Sequence, residues 1–159
     1  GREGAELALR LKIVDAATCA ALPGAAVDIW HCDAHGDYSA TTSANARERF
    51  LRGRQIANAE GIVEFVTIYP GWYPGRTPHI HMKVFIGMRD VATSQLFFPD
   101  DLSAKVYTAA PYAARGPANT ANDADGVLRW ARGADGAWPK MAEDGARLSG
   151  ALTVGISRA

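Results

Sequence analysis

The sequence predicts an all-β fold, specifically an antiparallel β-sandwich with long loops and little helix. About seven short segments are rich in β-branched residues or alternate apolar with polar residues, which is the pattern of half-buried strands. Glycine, proline and asparagine turns separate these segments at intervals of roughly 8–12 residues, as in sandwiches and barrels. Strands do not alternate with long helices along the chain, so the sequence does not favour a βαβ fold.

The length and composition fit one globular domain over residues 1–159. Hydrophobic residues make up 48% and charged residues 21% of the chain, which are ordinary values for such a domain. The formal net charge is zero, so no long-range attraction to nucleic acid or to an anionic membrane is expected. The sequence contains no apolar run of about 18 residues, the length needed to span a bilayer. We therefore expect a small-molecule substrate.

The first two strands are predicted at residues 7–14 and 25–32. From Leu9 to Ile13 apolar and polar residues alternate, which indicates a strand with one buried face. A Pro23-Gly24 turn precedes the second strand. We expect the two strands to pair as an antiparallel hairpin.

The two cysteines do not have the Cys-x-x-Cys spacing of a zinc site, so they are either free thiols or one disulfide. In the predicted hairpin, Cys19 lies in the connecting loop and Cys32 at the far end of the second strand. That separation exceeds the ~7 Å that a disulfide allows between Cα atoms. Free thiols are therefore favoured.

The rest of the chain continues the β pattern. Residues 39–49 are small and polar and are predicted to form a loop over a site. A short helix is predicted at residues 99–107, and residues 111–126 are turn-forming and polar. The remaining strands are predicted at residues 50–56, 62–68, 79–86, 93–98 and 148–156.

Two histidines at the start of one predicted strand have the spacing of a metal site. Alternate side chains of a strand point to the same face, so His79 and His81 would share a face while Ile80 turns into the core. Such a pair offers two nitrogen ligands to a metal ion. Taken alone, the same spacing also occurs on exposed strands that bind nothing.

The residues near this pair narrow the choice of metal. A structural zinc site would use thiolates, and the helical His-Glu-x-x-His motif of zinc proteases is absent from the sequence. A cupin site would need a glutamate a few residues after the pair, and residues 83–86 hold none. A non-haem Fe(II) oxygenase would add a carboxylate to the two histidines, and the nearest acid after the pair is Asp90, an unconvincing third ligand. Tyrosine remains, at Tyr73 nearby and Tyr38 further back. Phenolate oxygen is a suitable ligand for ferric iron, a hard ion and a strong Lewis acid.

Four blocks of sequence then occur in order. They are Asp28-Ile29-Trp30-His31-Cys32-Asp33-Ala34 with Gly36 and Tyr38, Phe50-Leu51-Arg52-Gly53 with Gln55, Thr67-Ile68-Tyr69-Pro70-Gly71-Trp72-Tyr73, and Arg76-Thr77-Pro78-His79-Ile80-His81. Together they resemble the intradiol ring-cleavage dioxygenases, the group of the protocatechuate 3,4- and catechol 1,2-dioxygenases. The resemblance spans roughly residues 7–110 and is far more specific than any single motif.

The resemblance implies one non-haem Fe(III) ion bound by four residues. These ligands would be Tyr38, Tyr73, His79 and His81, with water or hydroxide in the fifth position. By the same analogy Tyr73 and His79 are axial, and substrate displaces Tyr73. The ferric ion would bind a catechol as a chelating dianion and activate the ring towards O2, so that both oxygen atoms enter a cis,cis-muconate-type diacid.

Three further residues take roles from the same resemblance. Arg76 would stabilise negative charge that develops on the ring, and Gln95 would donate a hydrogen bond to an oxygen bound to iron. Trp72 would line the substrate pocket. On the residues alone, Arg76 also fits an exposed charge and Gln95 a polar strand end.

The chain matches the short, stand-alone form of the family, which slightly favours a secreted or periplasmic protein.

Several alternatives stay open at this point. Tyr69 and Tyr107 differ from the two expected ligands only in motif position. His31 is expected to pack at the edge of the core and His35 to be exposed, with neither as a ligand. The main rival function is a non-catalytic β-sandwich binding module of the transthyretin-like or carbohydrate-binding kind. A copper or zinc hydrolase that uses the same histidine pair is a second rival.

Overall fold

The computed structural model describes residues 1–131, 137–145 and 147–157, and strands dominate these ranges. The all-β class is therefore confirmed. Short 3₁₀ turns occur at Tyr112–Ala114 and Asn122–Ala124. The longer elements are β1 (Glu6–Asp15), β2 (Ala26–Trp30), β3 (Arg52–Ile56), β4 (Ile62–Ile68), β5 (His79–Ile86), β6 (Arg89–Phe97), α1 (Asp100–Val106), α2 (Gly126–Trp130), β7 (Lys140–Asp144) and β8 (Arg147–Ile156).

The strands form two four-stranded sheets. One sheet has the order β4-β1-β8-β7 and the other the order β3-β2-β5-β6. The strand pairs within the second sheet are antiparallel. In the first sheet β1 and β8 are parallel, with Leu7 opposite Leu148, so the expectation of a wholly antiparallel sandwich is wrong in this pair. Parallel neighbours need a long connection, and here most of the chain supplies it.

The core lies between the two sheets. The alternation in β1 places Leu7, Leu9, Leu11 and Ile13 inward, each at most 1% exposed. Side chains of the facing sheet pack against them, and the two apolar faces exclude water from the space between. These facing residues are Val27, Ile29, Ile80, Met82, Val84 and Leu96.

The predicted hairpin between residues 7–14 and 25–32 is wrong. β1 pairs with β4 and β8, whereas β2 pairs with β3 and β5 in the other sheet. Both strands carry an apolar face, and packing these faces against each other buries more apolar surface than pairing their edges. The connecting residues 16–25 therefore cross from one sheet to the other. Cys19 is exposed, Cys32 is buried, and both are free thiols as expected.

The remaining predictions differ from the structure mainly at element ends. The helix predicted at residues 99–107 is α1, and the strand predicted at residues 93–98 begins earlier, at Arg89. Neither α2 nor β7 is predicted from the sequence. β7 is largely exposed and lacks the alternation of apolar and polar residues that indicates a strand. Within the described residues, no helix has the length and apolar character needed to cross a bilayer.

The second sheet brings the functional motifs to one edge. β2 ends at Trp30 and β6 at Phe97, and these ends flank the start of β5 at His79. The loops that follow β2 and β4 reach this edge as well, through the contacts described below.

Candidate active site

The two histidines lie side by side on β5. Ile80, between them, points into the core as expected. The Nε2 atoms of His79 and His81 are 3.3 Å apart. The His81 ring also stacks on the Trp30 indole, with centroids 4.8 Å apart and an interplanar angle of 2°. Trp30 therefore packs on one member of the histidine pair.

Tyr38 is held by a tight turn that follows β2. Oδ1 of Asp33 accepts hydrogen bonds from two backbone N–H groups of this turn, at 2.9 and 3.0 Å. Gly36 supplies the left-handed conformation that the turn requires, with φ of +85°. The side-chain amide of Asn45 then donates to the Tyr38 carbonyl at 2.7 Å. The backbone on both sides of the phenol is therefore fixed.

Tyr73 lies in the proline-containing segment that follows β4. The backbone N–H of Gly71 donates to the Asp33 carbonyl at 3.1 Å, which joins this segment to the turn before Tyr38. A Cβ atom on Gly71 would lie 2.3 Å from that carbonyl oxygen, so only glycine permits the close approach. This contact between two backbones places the two tyrosines on the same side of the site.

We expect Gly71→Ala to separate these two segments. The added methyl group would force the backbone apart, and we expect the free energy of unfolding to fall by about 1–3 kcal/mol. Urea unfolding followed by tryptophan fluorescence measures this loss. Gly126→Ala is the matched control, because nothing lies within 4 Å of the Cβ that it adds. Equal stability of the two variants would contradict the role given to Gly71.

Four donor atoms converge at this edge of the sheet. Nε2 of His79 lies 3.1 Å from the Tyr73 hydroxyl, 3.5 Å from the Tyr38 hydroxyl and 3.3 Å from Nε2 of His81. A transition-metal ion lies about 2 Å from each nitrogen or oxygen donor, which leaves adjacent donors about 3 Å apart. The three distances from Nε2 of His79 are therefore in the range of neighbouring donors to one shared ion.

The donor set depends on the tyrosines. Among the described residues, no group of three or more histidine, cysteine, aspartate or glutamate side chains is arranged to hold a metal ion. A metal held by this cluster would therefore be bound partly by phenol oxygen. Burial raises the pKa of Tyr38 and of Tyr73, so their ionisation requires a strong positive charge close by. A trivalent ion meets that requirement better than a divalent one.

Both histidines are neutral at physiological pH. Burial lowers the pKa of His79 to about 3 and that of His81 to about 4. The Thr77 carbonyl lies 2.7 Å from Nδ1 of His79. Because a carbonyl only accepts hydrogen bonds, Nδ1 carries the proton and the lone pair of Nε2 faces the other donor atoms. No proton has to leave His79 before Nε2 can bind a metal.

Arg76 stands beside the four donor atoms and is mostly buried. One guanidinium nitrogen is 3.5 Å from the Tyr73 hydroxyl, and another donates to Oε1 of Gln95 at 2.5 Å. Its Nε donates to Oδ2 of Asp125 at 2.9 Å. The alternative of an exposed surface charge is therefore wrong for Arg76.

Gln95 connects this arginine to the histidine pair. It lies opposite His81 in the β5–β6 register, and its amide nitrogen is 3.4 Å from Nδ1 of His81. Its oxygen is engaged by Arg76. Gln95 thus contacts two site residues and does not stand at a free strand end, and its hydrogen bond to an oxygen bound to iron stays a prediction.

Comparison with known proteins places these features in a family. A family model described as a dioxygenase matches residues 2–117. The solved structure of an intradiol ring-cleavage dioxygenase from Tetranychus urticae is 32% identical in sequence, with a TM-score of 0.91 over 98% of this chain and 82% of its own. The chain belongs to the intradiol ring-cleavage dioxygenase family. The resemblance stated from the four sequence blocks is confirmed.

A more distant solved structure shows the same architecture, and a curated relative matches over part of the chain. The dioxygenase domain of a dioxygenase and carbohydrate-binding fusion protein from Streptomyces sp. SirexAA-E is 27% identical, with a TM-score of 0.72 over 100% of this chain and 84% of its own. A chlorocatechol 1,2-dioxygenase from Rhodococcus opacus is 30% identical over 100 residues. That match covers 50% of this chain and only 38% of the Rhodococcus protein, so the chain spans well under half of that relative.

The other tyrosines that resembled ligands in the sequence lie elsewhere. The hydroxyl of Tyr69 is 2.7 Å from Oγ of Ser103, and that of Tyr107 donates to the Pro70 carbonyl at 2.9 Å. Both rings are buried in the core between the sheets. Within this dioxygenase fold, Tyr38 and Tyr73 are the tyrosines whose hydroxyls lie within 3.5 Å of His79.

Trp72 precedes Tyr73 in the sequence and packs against residues of a later loop. Its indole N–H donates to the Gly116 carbonyl at 3.1 Å, and the Arg115 guanidinium lies 4.3 Å above the ring. A contact between Trp72 and substrate stays a prediction.

Asp125 and Thr77 are site residues that the sequence analysis missed. Asp125 gives a sequence signal as a helix N-cap, but that signal does not reveal which side chain its other oxygen reaches.

His31 is buried next to the site without joining it, and His35 is exposed as expected. Nδ1 of His31 donates to the Cys32 carbonyl, and Nε2 lies 2.8 Å from the Thr67 hydroxyl. Burial lowers the pKa of His31 to about 4. An unfolded histidine has a pKa near 6.5. Between these two values the unfolded chain binds a proton at His31 that the folded chain does not bind.

We therefore expect acid to destabilise the iron-free protein in part through His31. Its contribution to the free energy of unfolding is complete above pH about 6.5 and falls by about 3 kcal/mol as the pH drops to about 4. Denaturant unfolding at several pH values measures this change. His31→Gln should flatten the curve over that interval, and His35→Gln should not. Parallel curves for wild type and His31→Gln would contradict the prediction.

Proposed function

We propose that this protein cleaves catechol-type aromatic diols between their two hydroxyl-bearing carbons. O2 is the second substrate, and the product is a cis,cis-muconate-type diacid that contains both oxygen atoms. The grouping of two phenol oxygens and a second imidazole nitrogen within 3.5 Å of Nε2 of His79 carries the proposal. Family membership supports ring cleavage of catechols as the general reaction.

Tyr38, Tyr73, His79 and His81 would hold one Fe(III) ion. Two phenolates would offset much of the charge of a trivalent ion, and two neutral imidazoles complete a set suited to ferric iron. When bound, Fe(III) supplies Lewis acidity that lowers the pKa of the catechol hydroxyls and makes the ring reactive towards O2.

Proton transfer, charge stabilisation and exclusion of water are roles of the protein side chains. Tyr73 is only half-buried, and we assign its phenolate oxygen the role of accepting a proton from one catechol hydroxyl, which leaves Tyr73 as the neutral phenol. Arg76, 3.5 Å from that oxygen, stabilises negative charge that develops on the ring. Gln95 keeps the guanidinium oriented through its 2.5 Å contact. Trp72 shields one side of the aromatic ring from water.

Purified protein reconstituted with ferric iron tests this proposal. Charge transfer from tyrosinate to iron should give a burgundy colour, and anaerobic addition of catechol should shift or bleach that band. With heavy-isotope O2, both labelled atoms should appear in a colourless diacid. A yellow semialdehyde would instead indicate cleavage beside the diol. Colourless protein that binds no iron and consumes no catechol would support the rival of a non-catalytic binding module.

A further inference from the structure

Asp125 is a buried carboxylate that contacts two adjacent residues of the site, Arg76 and Thr77, from a distant part of the sequence. It lies between the 3₁₀ turn Asn122–Ala124 and α2, and it is 0% exposed. Its Oδ2 atom accepts hydrogen bonds from Nε of Arg76 and from the backbone N–H of Thr77, both at 2.9 Å. Its Oδ1 atom accepts two more from the first turn of α2, at 2.8 and 3.1 Å.

These bonds reach the arginine and one of the histidines. Arg76, held at Nε, directs its other nitrogens towards Tyr73 and Gln95. Thr77, held at its N–H, presents its carbonyl to Nδ1 of His79 at 2.7 Å. Moving the Asp125 carboxylate would therefore shift Arg76 directly and His79 through one residue.

Asn122 strengthens the same connection. Its side-chain oxygen accepts a hydrogen bond from the Thr77 hydroxyl at 2.6 Å, and its amide donates to the Phe98 carbonyl at 2.9 Å. Residues 122–125 thus join the segment before β5 to the end of β6. This arrangement accounts for a buried charge that packing alone would disfavour.

We propose that Asp125 is a positioning residue, which holds the guanidinium of Arg76 in place beside the four donor atoms of the site. The consequence for turnover depends on the function proposed above, whereas the effect on Arg76 does not. Burial by itself would raise the pKa of the Asp125 carboxyl. The Thr77 and Leu128 N–H groups and the Arg76 guanidinium outweigh that effect and hold the pKa below its usual value. The carboxylate form therefore persists at neutral pH.

Asparagine cannot replace this residue, although it has nearly the same shape. All four partners of Asp125 are donors: Arg76, Thr77, Val127 and Leu128. An amide has one accepting oxygen and one donating NH2 group, so in either orientation the NH2 group faces two donors. Asp125→Asn must therefore release either the arginine side or the helix side.

The first measurement uses the iron-free protein. In wild type, the Nε–H resonance of Arg76, assigned by its loss in Arg76→Lys, should exchange slowly with solvent. In Asp125→Asn we expect that exchange to accelerate by at least about tenfold. Asp15→Asn is the control, because Asp15 is also buried and accepts from two backbone N–H groups, but at the end of β1 and away from the site. Slow exchange retained in Asp125→Asn would overturn the positioning role, even if the wild-type chain cleaves no catechol.

The second measurement uses iron-loaded enzyme and two genetic backgrounds. Asp125→Asn should lower kcat about a hundredfold and change KM by less than about threefold, because a small displacement of a charge-stabilising group acts mainly on the transition state. In an Arg76→Lys background the same substitution should cost less than about threefold. An equal loss in both backgrounds would show that Asp125 does not act through Arg76. If the asparagine variant does not fold, Asp125→Glu, which keeps the carboxylate but displaces it by one methylene group, is compared in the same two backgrounds. An equal loss in both would again overturn the proposal.

Discussion

Replacing Tyr73 with phenylalanine is expected to remove iron, colour and turnover together. Tyr73 is 3.1 Å from Nε2 of His79, so its oxygen is one of the four converging donors. Loss of a hydrogen-bonding partner outside a ligand set costs about 10–100-fold in metal affinity, so loss of a ligand should cost at least about a hundredfold. Iron content by metal analysis, the visible spectrum and O2 uptake measure the three effects.

Tyr107→Phe is the matched control for this prediction. It removes the same atom from another buried tyrosine, whose hydroxyl donates to the Pro70 carbonyl. We expect a loss of about 1–3 kcal/mol in the free energy of unfolding and no loss of iron. A coloured, active Tyr73→Phe protein would move the metal site elsewhere in the chain.

Arg76→Lys is expected to separate iron binding from catalysis. Lysine keeps the positive charge but cannot contact Asp125, Gln95 and the Tyr73 hydroxyl at once, because its ammonium is a point charge and not a planar fork. Removing a donor aimed at developing charge costs about 10²–10³ in kcat. The iron content and the visible band should stay near those of wild type, since no ligand is lost.

Arg54→Lys provides the comparison for Arg76. Arg54 pairs with Asp28 on the exposed face of β3, and an exposed pair contributes little. We expect unchanged turnover in that variant. Unchanged turnover in Arg76→Lys as well would exclude a charge-stabilising role for Arg76.

The site could be predicted from sequence where it depends on local rules. Period-two alternation put His79 and His81 on one face of β5, and ordered motifs selected Tyr38 and Tyr73 from the other tyrosines. These four side chains do lie together. Asp125 could not be found in this way, because the partner of its second oxygen is set by the packing of segments some 50 residues apart.

The error in the fold has a related cause. Alternation shows which residues of β1 and β2 face inward, but it does not show which strand edges meet. The expected hairpin therefore had the correct inner faces and the wrong partners. Likewise, nothing in the local pattern of β8 indicates that it lies parallel to β1.

That parallel pair has a consequence for synthesis on the ribosome. Among the described strands, β1 is made before the others but keeps one edge unpaired until β8, the last of them, has left the exit tunnel. The sheet that carries the two histidines uses only strands made before residue 98. The nascent chain can therefore assemble that layer early, while the opposite layer stays open along its centre. Closure of the long-range pair is expected to be the slow event in folding.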